Sequence, residues 1–95
     1  MNYDTFLKLL QSIITMVDEN DPSSVKRGKT ILENLRDLVW SSGKANGQVR
    51  RMIVGAIDNY ENLIQLKDDF AGAPGEIMRN KAKREKLAMA IYPHC

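Results

Sequence analysis

Ninety-five residues, 43% apolar and 27% charged, supply one modest hydrophobic core and too much aliphatic material for a disordered chain. A net charge of +2 excludes a strongly acidic nucleic-acid mimic and falls short of the excess carried by a dedicated DNA-binding domain. No apolar run approaches the ~18 residues that cross a bilayer, so no membrane partner is expected, and the lone cysteine, Cys95, excludes an intramolecular disulfide.

The first predicted helix spans Tyr3 to Asp18, with Asn2 or Asp4 as its N-cap. Its stripe, Tyr3, Phe6, Leu10, Ile13 and Val17, alternates steps of three and four and so occupies one helix face. Leu9, Ile14 and Met16 widen that face toward a second neighbour or a partner. Asp18-Glu19-Asn20 is poor chemistry for a helix end, because acids there oppose the macrodipole. The opening Met1-Asn2-Tyr3-Asp4 has no basic region ahead of an apolar run, so no secretory signal is expected and the expected location is the cytoplasm.

Asp21-Pro22 is a strong start signal, N-cap followed by a proline with no N–H to leave unsatisfied. The second predicted helix runs from Pro22 to about Trp40 on the stripe Val25, Gly28, Leu32, Leu35 and Val39. Ser41-Ser42-Gly43 ends it. Lys44 to Gly47 reads as a helix-to-helix loop, since neither flank alternates as a strand would. The third helix is expected from about Gly47 to Phe70, on Val49, Ile53, Ala56, Tyr60 and Leu63. Leu35 and Ile53, at the middle of their stripes, are expected core residues. Gly28 and Gly55 sit inside helices and are candidates for a close approach where the second and third cross.

Gly72 to Gly75 breaks the chain again. The fourth predicted helix, from Pro74 or Gly75 to Ile91, is dominated by Arg79, Lys81, Lys83, Arg84 and Lys86, with its middle exposed and its two ends docked. Pro93 stops it. The expected fold is all-α: a small antiparallel helical bundle of three core helices plus a basic C-terminal helix, one domain over residues 1–95.

Chemistry is hard to find. Gly28-Lys29-Thr30 imitates the end of a phosphate-binding loop, but Ser23 stands where the first glycine belongs and no strand precedes it. His94 and Cys95 lack the companions that zinc requires. Asp58 with Glu61, and Asp68 with Asp69, have no Glu-x-x-His partner. No catalytic, cofactor or metal residue is therefore assigned, and no enzyme is expected.

The candidate partner-binding residues are Arg79, Lys81, Lys83, Arg84 and Lys86, a basic face suited to an acidic protein, together with Trp40, an aromatic at a helix end. Lys26, Arg27, Lys29, Arg50 and Arg51 read as scattered solubilising charge. Leu9, Ile14, Met16, Met52, Val54 and Leu66 fall off the narrow stripes and suggest a self-associating face, by default a twofold homodimer. The expected function is that of a non-enzymatic macromolecule-binding module: a small inhibitor, adaptor or immunity-type protein, of the kind common among phage and mobile-element accessory products. The alternatives are a nucleic-acid-binding regulator using the basic residues of the second, third and fourth helices, and a self-assembling structural or small-ligand-binding oligomer.

Overall fold

The structure is a computed structural model that describes residues 1–43, 47–72 and 76–92, with the backbone alone at 77 and 78. All regular elements among these residues are helical: α1 (Tyr3–Met16), α2 (Pro22–Ser42), α3 (Gly47–Asp58), α4 (Tyr60–Gln65), a 3₁₀ turn (Lys67–Phe70), α5 (Glu76–Arg79) and α6 (Lys81–Ile91). Far-UV circular dichroism should show more than half the residues helical, well above the usual third or so, and a substantial β signal would contradict the fold.

The caps follow local chemistry. Asn2 accepts the Thr5 N–H at 2.8 Å and Asp21 accepts the Ser23 N–H at 3.0 Å. Gly43 closes α2 in the left-handed region, at φ 64°. Helix α1 ends earlier than its stripe suggests, because Val17 is already extended, at ψ 131°. The opposed acids at that end have an answer from elsewhere in the chain. Lys67 donates to the Val17 carbonyl at 2.6 Å, placing a cation where the α1 dipole is negative. Such a contact contributes about 0.3–1 kcal/mol, and more when partly shielded from water.

Two predicted helices are broken. Within the expected 47–70 segment, the Asn59 side chain donates to Gly55 O at 2.9 Å and to Ile91 O at 3.1 Å. A short amide that bonds the backbone competes with regular helix, and here it also ties the α3–α4 junction to the end of α6. After Gln65 the chain tightens into the 3₁₀ turn. The basic segment is interrupted at Asn80, an extended residue whose side chain caps α6 by accepting the Lys83 N–H at 3.1 Å.

Helix α1 is the hub. It packs against α2, α3, α4, the 3₁₀ turn and α5, and it buries Phe6, Leu7, Leu10, Ile13 and Ile14. Gln11 is buried among them and donates to Phe70 O at 2.7 Å, pinning the 3₁₀ turn onto α1. Helix α6 docks through its C-terminal half, where Leu87, Ala90 and Ile91 are buried against α3 and α4. The other end of the basic segment, at Ile77 and Met78, lies outside the described side chains.

Several expectations about the core change. Ile53 is fully buried, but Leu35 is only partly so, since α2 embeds through Gly28, Leu32 and Val39. Ile14 and Met52, expected among the surplus apolar residues, are inside the core, and Leu9 and Leu66 pack partly against it. Gly28 and Gly55 do not face each other. A Cβ on Gly28 would strike the Tyr60 hydroxyl and Val17, and one on Gly55 would strike Ile91.

The Tyr60 hydroxyl donates to Val25 O at 2.6 Å and so bolts α4 to the first turn of α2. Burial pushes this phenol above its ordinary value of 10.0, while a hydrogen bond from the Lys29 backbone pulls it down less strongly. The native state thus keeps the proton to higher pH than the unfolded chain. Its contribution is intact below about pH 10 and is lost as pH rises beyond that. Urea midpoints of the wild type should therefore fall more steeply above about pH 10 than those of Tyr60→Phe. Parallel curves would show that Tyr60 is not held as described.

Candidate interaction surface

The five basic residues of the C-terminal segment do not form one free face. Lys86 is ion-paired with Asp69 at 3.0 Å. Lys83 reaches the Ala71 carbonyl at 3.5 Å and stands 3.9 Å from Glu76 Oε1. Both lysines tie α6 back to the segment just ahead of it. Lys81 is 3.9 Å from Glu85 and Arg79 is exposed on α5. Arg84 is half-buried beside a shallow recess of about 170 Å³ shared with Tyr3, Lys81 and Ala88.

The break at Asn80 also sets the electrostatics of this segment. Lys81, Lys83 and Arg84 sit in the first turns of α6, where the helix dipole is positive, and so oppose it. The sequence alone shows an uninterrupted basic helix, and only the Asn80 cap reveals where its N-terminus lies.

Trp40 joins a different part of the molecule. Its ring lies under the Arg50 guanidinium at 5.4 Å, a cation–π contact between the end of α2 and the start of α3. The ring remains 43% exposed. Its aromatic face is thus taken by a residue outside the basic run.

The most exposed large apolar side chains on α1 and α2 are Met16 (79%), Leu38 (68%) and Ile31 (48%). Ile31 and Leu38 are seven residues apart, two turns along one face of α2. Between α1 and α2 runs a groove of about 260 Å³, walled by Leu9, Ile13 and Met16 on one side and by Ser24, Arg27 and Ile31 on the other. Gly28 lies at the floor of the groove, where the missing side chain leaves room for Val17 and the Tyr60 hydroxyl beneath. A second recess of about 410 Å³ continues over Ser23, Lys26, Arg27 and Thr30, sharing Arg27 and Ile31 with the first. No carboxylate lines either. Of these residues, Met16 and Leu9 stand out in the sequence as surplus apolar positions. Ile31 and Leu38 do not, because they fall just beside the α2 stripe, and their signal is the seven-residue spacing.

The other candidates are placed as follows. Gly28-Lys29-Thr30 is helical throughout, and the Thr30 hydroxyl donates to Lys26 O at 3.0 Å within α2. Asp58 and Glu61 border a polar recess of about 320 Å³ at the α3–α4 junction, beside Lys29. Among the described residues no group of three or more His, Cys, Asp or Glu converges as a metal site would require. His94 and Cys95 lie outside the described residues. No helix is long and apolar enough to cross a membrane.

Fold and surface together define a small helical module with an apolar groove on one side and a partly self-engaged basic segment in its C-terminal part. Comparison with models of known families, with characterised proteins and with solved structures found no match to this chain.

Proposed function

We propose that this chain is a non-enzymatic protein-binding module, a small inhibitor, adaptor or immunity-type protein, and that it engages its partner through the α1–α2 face. The carrying observation is the groove between these helices, bordered by exposed Met16 and Ile31, with exposed Leu38 two turns beyond Ile31 on α2. Contiguous exposed apolar surface of this kind is typical of interaction sites. The basic residues of the C-terminal segment are less available, because Lys83 and Lys86 have partners within the chain.

The test is capture from nuclease-treated host lysate with three baits: wild type, the Ile31→Glu/Leu38→Glu double variant and the Lys81→Glu/Arg84→Glu double variant. All substitutions fall on exposed or half-buried positions, and circular dichroism verifies folding. A specific protein should be retained by the wild type and the α6 variant and lost from the α2 variant. Retention by all three, or loss from the α6 variant alone, would contradict the assignment of this face.

A second reading, nucleic-acid binding through α6, draws on one observation: cations gathered at a helix start that opposes them, an arrangement an anionic partner would relieve. In that case nuclease would remove the partner, and affinity would fall linearly on a log–log salt plot.

A further inference from the structure

We propose that the α1–α2 groove receives one amphipathic helix of a partner protein, with an apolar edge seated in the groove and acidic residues on its flanks. This rests on the protein-binding reading above and specifies its occupant.

The shape argues for a helix. After the short connection 17–21, α2 turns back along α1, so that Leu9 and Ile31 line the same groove as Val17 and Ser24. Asp18 secures that turn, its N–H donating to Ser24 Oγ at 2.8 Å. The α1 wall is Leu9, Ile13 and Met16, at steps of four and three. The α2 wall is Ser24, Arg27 and Ile31, with exposed Leu38 two turns beyond Ile31. Two helical ridges enclosing an apolar trough accept the i, i+3/i+4, i+7 edge of a third helix. From Ser24 to Ile31 the α2 wall is about 10 Å long at 1.5 Å per residue, about two turns of an occupant, and exposed Leu38 lies two turns farther along the same face. No strand edge exists among the described residues to recruit an extended peptide instead.

The charge argues for acidity. Arg27 borders both recesses and Lys26 borders the outer one, and neither makes an ion pair among the described residues. Lys8, one turn ahead of the groove residue Ser12, is exposed on the α1 side. The acids of the connecting turn, Asp18, Glu19 and Asp21, line neither recess, and Asp18 and Asp21 accept the Asn20 and Ser23 N–H groups at 3.0 Å each. Carboxylates flanking an apolar edge would meet Lys26 and Arg27 at the rim, whereas a basic helix would be repelled there. A second copy of this chain fits less well, since a twofold axis through the groove would set Arg27 against itself.

The probe is a displayed library of amphipathic helices about five turns long, with a Leu/Ile/Met edge and either Glu or Lys at each flanking position. It is selected on the intact chain. Glu should be enriched at the flanks. Binding of the selected helix should weaken about tenfold or more with Ile31→Glu, and by a similar factor with Arg27→Glu. A Glu-to-Lys exchange in the helix should restore binding to the Arg27→Glu protein. Failure to select any helix, enrichment of Lys, absence of charge bias, or binders indifferent to Ile31→Glu would each overturn the proposal. So would a homodimer, seen by sedimentation, that Ile31→Glu dissolves. If the library result is negative while the captured protein still depends on Ile31 and Leu38, the occupant is wrong and the protein-binding reading stands. If that dependence is also missing, both fall.

Discussion

Replacing Ile53 with alanine will destabilise the protein by about 2–5 kcal/mol. Ile53 is wholly shielded from solvent in α3, which packs against α1, α2 and α6 as well as α4. Removing its outer carbons forfeits their transfer free energy and leaves a void that elements held on several sides cannot all move to fill. A domain of this size has about 5–15 kcal/mol to lose, so the midpoint of urea unfolding should fall sharply with little change in slope. Leu35→Ala, at a partly buried site, should cost less. A loss below about 0.5 kcal/mol at Ile53 would place that residue on the surface instead.

Gly55→Ala will destabilise the protein by about 1 kcal/mol or more, although alanine is the better helix former by nearly that amount. The added Cβ would stand 2.7 Å from Ile91 Cγ2 and equally close to the Ile91 carbonyl oxygen. A side chain can rotate away, but this carbonyl also accepts the Asn59 amide at 3.1 Å. Moving it strains the link between the α3–α4 junction and the end of α6. The outcome separates two accounts of a helical glycine. Stabilisation by about 1 kcal/mol would mean an exposed site where propensity alone acts, and would contradict the docking of α6.

These two sites show what was legible in the sequence. The α1 and α3 stripes identify Phe6, Leu10, Ile13 and Ile53 as core, because a 3.6-residue period reports directly which side chains share a face. Asp21-Pro22 and Gly43 bound α2 because their chemistry is local. The breaks at Asn59 and Asn80 were not legible. Each depends on a polar side chain choosing a backbone partner, and in the case of Asn59 one partner is Ile91, far along the chain. The deeper burial of Leu32 than of Leu35 in α2 is likewise set by contacts far along the chain. Helix rotation is set by what Gly28 must admit, the Tyr60 ring and Val17, and not by the centre of the stripe.

The candidate site was legible in part for a similar reason. A dense run such as Arg79 to Lys86 is conspicuous, but its availability depends on whether acids elsewhere reach it. Asp69 and Glu76 do. An apolar groove leaves a fainter trace. Met16 is visible as surplus, while Ile31 and Leu38 acquire meaning only once α1 and α2 are laid side by side. Buried Gln11 carries no periodic signal at all, since its role rests on the Phe70 carbonyl that it meets.

The most direct test of the central claim is amide hydrogen exchange on the complex with the captured partner, read segment by segment against the free chain. Binding through the α1–α2 face predicts slowed exchange over residues 9–17 and 24–38, with the segment 79–86 unchanged. Protection confined to 79–86, with the two groove walls exchanging as in the free chain, would contradict it.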